Sequence, residues 1–336
     1  MRLLVIDFLL LSLYIFGWMC YNINQVCLEK LFLGKRVTNM KIGIFDSGIG
    51  GLSVLQEAYH QLPDQNYIFY ADTDHVPYGK REPSEIMEYS RQCAYFLLEQ
   101  GVDAIVIACN TATSVAVQQL REEISLPIIS MEPAVKPAVE LVKPAAEQVE
   151  RAAEHKPDAT AGAEALHHVD AHRVLVMATP VALREVRVRN LIERVDEDHL
   201  VDLLPMPELV RFAEAEQFDA PELMEYLAKQ FGEVHPEEYS ALVLGCTHFN
   251  YFKDKYRLFF PENTALIDGN FGTVRHLAHR LGIPRQNVPN GEVVFEDIAA
   301  LTARTTYYTS GRLVEDTDML EHFRRLHNRL EKMRAI

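Results

Sequence analysis

Cysteine is scarce in this 336-residue sequence, and no two cysteines form a C-x-x-C pair. The five present are an odd set, so the sequence indicates neither a disulfide framework nor a zinc ribbon. Unpaired cysteines suit a reducing compartment, and we therefore expect a cytoplasmic protein. They are Cys20, Cys27, Cys93, Cys109 and Cys246.

Basic residues are few relative to acidic ones. Lys and Arg number 33 against 48 Asp and Glu, which gives a formal net charge of −15 at pH 7. A chain of this charge repels phosphate backbones and anionic lipid, and no basic patch adjoins the two cysteine-containing segments described below. We therefore expect no nucleic-acid partner, and no membrane partner for residues 40–336.

Long hydrophobic runs are also missing. The run FLLLSLYIFGWMC, residues 8–20, is about half to two-thirds of the length that a membrane-spanning helix needs. Extending it toward the amino terminus includes Asp7, which costs about 2.5 to 3.5 kcal/mol near a bilayer centre. Met40, in contrast, directly precedes a good strand, KIGIF. We interpret residues 1–39 as a leader upstream of the true start, and a hydrophobic anchor is the alternative.

Phosphate-binding signatures are incomplete. The stretch FDSGIGGLSVL, residues 45–55, has Gly48 and Gly50 but lacks the third glycine of a dinucleotide-binding turn. Asp46 would lie at the mouth of such a site and repel a pyrophosphate. The sequence also has no G-K-[S/T] for a phosphate-binding loop. Dinucleotide binding, with Asp72 as the ribose-binding acid, is an alternative that these residues disfavour.

What the sequence does contain is an alternation of short apolar runs and amphipathic segments. The amphipathic segments predict helices at 84–100 and 113–124, with Gly101 where the first would stop. This βαβ alternation predicts an α/β protein built on doubly wound parallel sheets. Strands are predicted at 41–45, 67–71, 104–108, 126–130, 173–178 and 240–245.

The stretch 144–172 differs from its surroundings. It is rich in Ala, Glu and His and has little apolar periodicity, so we interpret it as an exposed insertion or helical extension. Its three histidines are compatible with metal binding, but a solvated polar run is the favoured interpretation. They are His167, His168 and His172.

Two segments bring an apolar strand to a cysteine and then to small polar residues. AIVIACNTA aligns with ALVLGCTHF so that Cys109 lies over Cys246. If the match reflects a repeat, the molecule has two similar α/β halves, with one cysteine from each facing a shared cleft. A thiol where a strand meets a helix lies near unpaired N–H groups, which favour the thiolate and a bound carboxylate. A small core residue is the alternative for either cysteine, and it is our interpretation of Cys93.

Six ordered motifs resemble the bacterial glutamate racemase family, and their spacing agrees along residues 40–312. The resemblance implies an enzyme that interconverts L- and D-glutamate with no pyridoxal phosphate and no metal, and that supplies D-glutamate for peptidoglycan. It also implies two α/β domains of doubly wound parallel sheet and similar topology, with the active site in the cleft between them. The motifs are FDSGIGG (45–51), YADTDHVPYG (70–79), CNTAT (109–113), MEPAVKPA (131–138), GCTHF (245–249) and YYTSG (307–311).

The motif order implies how the domains are divided. The first would be discontinuous, 40–133 plus 247–312, and the second would be 134–246 with the insertion at 144–172. Residues 313–336 would form a C-terminal helix. The apolar spacing of LEHFRRLHNRLEKM, residues 320–333, favours a docked or solvated helix, and contact with a second subunit in a homodimer is the alternative.

The resemblance further implies roles for the matching residues. Cys109 and Cys246 would be the acid and base on opposite faces of the substrate α-carbon, assisted by Asp46, His248 and Glu214. An amino acid α-proton is far less acidic than a thiol, so inversion without a cofactor needs two bases in a dry cleft. The substrate would be held by Asp46, Ser47, Pro77, Tyr78, Gly79, Asn110, Thr111, Thr179, Thr247 and His248.

Two positions depart from the family's pattern. Ala182 replaces the second threonine of a common Gly-Thr-x-x-Thr, which puts in doubt how one substrate carboxylate is held. Asn250 replaces the usual proline after CTHF, which we expect to alter only the start of the next helix. Ala182 keeps open a sister enzyme acting on aspartate or another small dicarboxylate. A non-catalytic acid-binding module and a metal site at Cys246 and His248 are further alternatives, disfavoured by the second cysteine and by missing ligands.

Overall fold

The computed structural model describes residues 39–143, 172–285 and 292–336. Short 3-10 turns cover Ile49–Gly51, Tyr78–Lys80, Pro236–Glu238 and Thr247–Phe252. The strands are β1 (Lys41–Asp46), β2 (Asn66–Ala71), β3 (Ala104–Ile107), β4 (Ile128–Ser130), β5 (Arg173–Ala178), β6 (Val201–Pro205), β7 (Tyr239–Leu244), β8 (Ala265–Asp268), β9 (Thr305–Thr309) and β10 (Arg312–Leu313). The helices are α1 (Leu52–Gln61), α2 (Pro83–Glu99), α3 (Asn110–Glu123), α4 (135–143), α5 (Pro180–Arg184), α6 (Val186–Val195), α7 (Leu209–Glu214), α8 (Pro221–Phe231), α9 (Lys253–Tyr256), α10 (Asn270–Leu281), α11 (Ile298–Thr302) and α12 (Thr317–Arg334).

The strands form two sheets with the same internal order. The first runs β10-β9-β2-β1-β3-β4 and is parallel except for β10, which pairs antiparallel with β9. The second runs β6-β5-β7-β8 and is parallel throughout. Strands β2-β1-β3-β4 of the first therefore correspond to β6-β5-β7-β8 of the second. This confirms the predicted α/β class with two doubly wound parallel sheets of similar topology.

The inner strands are buried on both faces because helices cover both sides of each sheet. All residues of β3 are buried, and β1 is exposed only at Lys41. Such burial requires the continuous Val, Ile and Leu runs seen in the sequence. Helix α2 begins with Pro83 inside a capping box formed by Glu82 and Glu85, and ends just before Gly101, whose φ of 69° breaks the helix as predicted.

Strand β8 departs from the predicted domain division. It lies within 247–312, the stretch expected to complete the first domain, yet it pairs with β7 at the edge of the second sheet. The prediction also lacked strands at β6, β8, β9 and β10. The residues of β6 and β8 are half-buried or exposed, so they carry no continuous apolar run.

Helix α12 docks on the first sheet's side of the molecule, against α1. Its apolar residues Phe323, Leu326 and Leu330 are buried, which agrees with the docked interpretation of residues 320–333. In the described residues, no helix is long and apolar enough to cross a membrane. Residues 1–38 and 144–171, with Cys20, Cys27, His167 and His168, lie outside the described residues.

A buried polar network joins α12 to α1. The Gln56 amide donates to Glu331 Oε2 at 2.7 Å, and Gln56 Oε1 lies 2.7 Å from His327 Nδ1. His60 Nε2 is 2.8 Å from the same Glu331 oxygen. Burial lowers the pKa of His327 to about 3, although the charge of Glu331 opposes this shift. The docked helix therefore holds this imidazole neutral.

We expect the free energy of unfolding to fall by about 1.4 kcal/mol between pH 7.5 and 5.5 because of His327. Its folded pKa is depressed, so the unfolded chain takes up a proton that the native state excludes as the pH falls below 6.5. Urea unfolding at several pH values measures this, and His327→Gln should flatten the slope. His235→Gln, at an exposed histidine, is the control. An equal slope in His327→Gln and wild type would contradict the assignment.

Candidate active site

Cys109 and Cys246 follow β3 and β7, which occupy the same position in the four-strand order that the two sheets share. Cys109 is the N-cap of α3, and its sulfur accepts a hydrogen bond from the Ala112 N–H at 3.4 Å. Its thiol donates to Ser47 Oγ at 3.6 Å. Both cysteines are buried, at 6% and 7% exposure, so little water reaches either sulfur.

The surroundings of Cys109 favour its protonated form. Burial raises the pKa of the Cys109 thiol, and the negative charge of Asp46 raises it further. The hydrogen bonds from Ala112 and with Ser47 act in the opposite direction but do not cancel the increase. Cys109 is therefore a thiol near neutral pH in this structure.

Cys246 instead faces an imidazole. Its sulfur is 3.8 Å from His248 Nδ1, and His248 Nε2 is 2.6 Å from Glu214 Oε1. Burial lowers the pKa of His248, but its hydrogen bonds to Cys246 and Glu214 outweigh burial and raise the pKa well above its usual value. An imidazolium donates from both nitrogens, so this state fits both contacts. The Gly50 N–H is also directed at Nε2, at 3.3 Å, and a protonated Nε2 that donates to Glu214 does not accept from it.

The glycines of FDSGIGG allow this cluster to form. A β-carbon at Gly48 would overlap the Glu214 carboxylate, and one at Gly50 would overlap the His248 imidazole. The Ile49 N–H donates to Glu214 Oε1 at 2.9 Å. A carboxylate of this chain thus takes the N–H that a phosphate would need, which contradicts the dinucleotide alternative.

Asp46 ends β1 at the centre of this cluster and is fully buried. Its Oδ2 accepts from the Gly51 N–H at 2.7 Å and from Thr247 Oγ1 at 3.3 Å. Its Oδ1 has no hydrogen-bond partner among the described residues. Burial raises the pKa of Asp46, Glu214 adds to the increase, and His248 opposes it. One buried acceptor here is therefore left for another molecule.

Two threonines join the sheets across the site. Thr111 Oγ1, after β3, is 3.0 Å from Thr179 Oγ1, after β5. Thr179 also caps α5 by accepting from the Ala182 N–H at 3.3 Å. Asn110 Oδ1 and the Thr113 hydroxyl are buried and unpartnered among the described residues. We call these four residues, Asn110, Thr111, Thr113 and Thr179, the polar wall. Two of them have spare hydrogen-bonding capacity.

The Pro77–Gly79 segment reaches the polar wall through the backbone of Gly79 and not through the ring of Tyr78. A β-carbon at Gly79 would lie 2.9 Å from Thr179 Cβ, so the two residues are in close contact. The buried Tyr78 ring instead turns toward Asp72, to which its hydroxyl donates at 2.6 Å. Asp72 was considered from sequence only as a ribose-binding acid, and its own backbone N–H bonds to Asp46 O.

The remaining sequence hypotheses are resolved less directly. Cys93 is buried in α2, as expected of a core residue, although the Tyr78 hydroxyl lies 3.9 Å from its sulfur. Within the three described ranges, no group of three His, Cys, Asp or Glu side chains is placed to hold a metal ion. The geometry thus gives no support to a metal site at Cys246 and His248.

Known proteins share both sequence and fold with this chain. A sequence model described as Asp/Glu/hydantoin racemase matches residues 52–149. Glutamate racemases from Lachnospira eligens and Campylobacter curvus are 41% and 44% identical over 297 residues, covering 88% of this chain and all of each relative. The chain belongs to the glutamate racemase family.

Solved structures agree with this family assignment. Glutamate racemase from Thermus thermophilus, in complex with β-chloro-D-alanine, is 28% identical with a TM-score of 0.56, over 87% of this chain and 93% of that one. The Escherichia coli glutamate racemase, in complex with L-glutamate and the activator UDP-MurNAc-ala, has a TM-score of 0.62 at 24% identity, over 82% and 99%. The latter likeness shows the fold alone.

Gly50→Ala should lower racemase activity at least about tenfold while leaving the protein folded, because its β-carbon displaces the His248 ring. Gly272→Ala is the matched control, since Gly272 lies in α10 with open space around the added carbon. Steady-state rates and melting temperatures measure both effects. Full activity in Gly50→Ala would show that the contact between this turn and His248 is dispensable.

Proposed function

We propose that this chain interconverts L- and D-glutamate by proton transfer between Cys109 and Cys246, without pyridoxal phosphate or a metal. The observation that carries the proposal is the placement of two buried cysteines after corresponding strands of two like sheets. Ser47 hydrogen-bonds to one of them, and the adjacent Asp46 hydrogen-bonds to Thr247, which follows the other. The family membership supplies the reaction type and the substrate. We further propose that the product supplies peptidoglycan synthesis.

The chemistry needs two groups because one base returns a proton to the face from which it came. In the proposed reaction, one cysteine as thiolate removes the α-proton and the other, as thiol, delivers a proton to the opposite face. The carbon-hydrogen bond breaks, the electron pair stays on the α-carbon, and it then takes the second proton. Burial limits protonation of the carbanion by water, and nearby hydrogen-bond donors stabilise its negative charge.

The unlike surroundings of the two cysteines support an order of protonation. Burial and Asp46 keep Cys109 protonated, whereas Cys246 lies 3.8 Å from the His248 imidazolium. We propose this as the resting state of the free enzyme, with Glu214 holding the imidazolium.

The polar wall is proposed to hold the substrate. The unpartnered Asp46 Oδ1 and Asn110 Oδ1 are both acceptors, which suits them to the substrate ammonium. The N–H groups of the Asn110 amide can donate to a carboxylate. Ser47, Thr111, Thr179 and Thr247 add hydroxyls around the same space. Pro77, Tyr78 and Gly79 would contribute backbone contacts next to Thr179.

A second candidate substrate rests on Ala182. This residue is buried beside Thr179 and presents a methyl group where many relatives are expected to have a hydroxyl. A shorter or differently held dicarboxylate such as aspartate is therefore the alternative. Ala182→Thr would raise the preference for glutamate over aspartate under that alternative and leave it unchanged otherwise.

Several expectations about the whole chain remain proposals. We propose a first domain formed by 40–133 and 247–312, a second domain formed by 134–246, and a C-terminal helix at 313–336. Strand β8 is the exception, because it lies within 247–312 but pairs with β7 in the second sheet. We also propose a cytoplasmic location, and contact with a second subunit in a homodimer stays the alternative to the docked helix. The first experiment is α-proton exchange and optical rotation in deuterated buffer, on each enantiomer of glutamate and aspartate. No exchange with either acid, from folded and reduced protein, would favour an acid-binding module.

Cys109→Ser and Cys246→Ser should each lower racemisation at least about 100-fold in both directions, since each removes one partner of the proton transfer. Deuterium exchange without inversion should persist with only one enantiomer per variant, and the enantiomer should differ between the two. Proton NMR of the α-position measures this. Cys93→Ala is the control, because Cys93 is a buried residue of α2 and takes no part in the proposed proton transfer. Wild-type racemisation by either serine variant would refute the two-base assignment.

Glu214→Gln should shift the high-pH limb of kcat/KM to lower pH. Glu214 raises the pKa of His248, so its removal causes the imidazolium to lose its proton earlier as the pH rises. A pH-rate profile measures the shift. Glu216→Gln is the matched control, because Glu216 pairs with His322 and Arg325 instead. An unmoved limb would mean that His248 does not act as a cation in catalysis.

A further inference from the structure

Two sequence motifs, YADTDHVPYG and YYTSG, meet at one buried carboxylate to which the proposed mechanism gives no role. Asp72, from YADTDHVPYG, is 3% exposed and accepts from the Tyr78 hydroxyl at 2.6 Å. It also accepts from the hydroxyl of Ser310, in YYTSG, at 3.1 Å. His75 Nδ1 lies 2.9 Å from both of its oxygens. The carboxylate is therefore the common point of a loop and a hairpin.

Burial of this carboxylate is costly for stability alone. Among the described residues, no lysine or arginine forms an ion pair with Asp72, and its partners are two hydroxyls and a half-buried imidazole. Removing a carboxylate from water without a full counter-charge costs free energy that an apolar residue would not. What Asp72 provides is a fixed geometry for the groups that donate to it.

The loop that Asp72 organises runs from 72 to 81. The His75 N–H donates to the Asp72 carbonyl at 3.2 Å, and Arg81 Nε donates to the His75 carbonyl at 3.1 Å. The Tyr78 ring is almost fully buried, with Tyr89 of α2 at a centroid distance of 6.0 Å, and the His75 ring stacks on the same Tyr89. The loop therefore folds around the carboxylate, with the Pro77–Gly79 segment at its far end.

The hairpin between β9 and β10 fixes the other side of Asp72. The Ser310 N–H donates to the Ala71 carbonyl at 2.8 Å, directly before Asp72. The Ser310 hydroxyl also accepts from the Asp74 N–H at 2.9 Å while donating to Asp72. Ser310 has a φ of 42°, so the turn brings its side chain back onto the loop. Three hydrogen bonds of Ser310 thus join the hairpin to the loop.

Gly79 is the residue through which this loop contacts the candidate active site. Its Cα lies so close to Thr179 that an added β-carbon would come within 2.9 Å of Thr179 Cβ. Thr179 in turn contacts Thr111 at 3.0 Å. A change in the Tyr78 to Asp72 bond would therefore shift the segment that meets the opposite sheet.

We propose that Asp72 is a positioning residue that sets the substrate-binding segment Pro77–Gly79 against Thr179 through the Tyr78 hydroxyl, with Ser310 as its anchor. The proposal rests on the function proposed above, because it assigns this segment to the substrate. Asp72 does not touch the cysteines, so its loss weakens substrate binding and leaves proton transfer largely intact.

The test is Asp72→Asn, with kcat and KM measured for both enantiomers. KM should rise about tenfold while kcat stays within about threefold, because one charge-assisted hydrogen bond to Tyr78 is weakened. Asp74→Asn is the matched control: its carboxylate, two residues on, pairs with the exposed Arg312. The melting temperature of each variant reports any general loss of stability, which would not raise KM selectively.

A double-mutant cycle with Tyr78→Phe separates positioning from packing. Tyr78→Phe alone should raise KM by a similar factor, and Asp72→Asn should add little in that background. The proposal would be overturned if the two increases in KM multiplied in the double mutant, if KM were unchanged in the single mutants, or if only kcat fell. If Asp72→Asn does not fold, Ser310→Ala should still raise KM by about two- to fivefold, and an unchanged KM there would overturn it equally.

The two proposals fail in different ways. If wild type turns over glutamate and Asp72→Asn keeps its KM, only the positioning role is lost. If wild type does not turn over glutamate, the same comparison is made on the Kd of D-glutamate by titration calorimetry, with the same expected factor. A wild type that neither turns over nor binds glutamate would refute the proposed function and the positioning role together.

Discussion

The site depends on the close approach of two turns, one at Ile49–Gly51 and the other at Thr247–Phe252. Tyr251 donates its hydroxyl to the Ile49 carbonyl at 3.0 Å, and the absence of β-carbons at Gly48 and Gly50 leaves room for Glu214 and His248. Without that approach, Glu214 would lose its backbone donor and His248 its carboxylate. The raised pKa of His248, and with it the electrostatics at Cys246, follows from this packing.

The sequence predicted the inner part of each sheet well because inner parallel strands must be apolar on both faces. β1, β3, β5 and β7 were each located to within one residue at either end. The two edge strands of the second sheet, β6 and β8, escaped prediction for the same physical reason. β6 and β8 face solvent on part of their surface, so their residues carry no signal that separates them from loops. The exchange of β8 into the second sheet depends on long-range pairing that local patterns do not encode.

The candidate site could be predicted where one motif contains all of its parts. Cys109 with Asn110 and Thr111, and Cys246 with Thr247 and His248, are such cases. The partner of a residue could not be predicted when it lies far along the chain. The contact of Glu214 with Ile49 spans 165 positions, and that of Asp72 with Ser310 spans 238. Folding, rather than spacing, decides these pairs.

The two cysteines occupy corresponding positions but have unlike neighbours, a serine hydroxyl at one and an imidazole at the other. Mirror-image substrates have the same free energy in water, so at equilibrium they are present in equal amounts whatever the protein does. Detailed balance then requires the same kcat/KM in both directions. The unlike neighbours can therefore change kcat for one enantiomer only together with its KM. A molecule built from two similar halves need not be symmetric to serve a symmetric reaction.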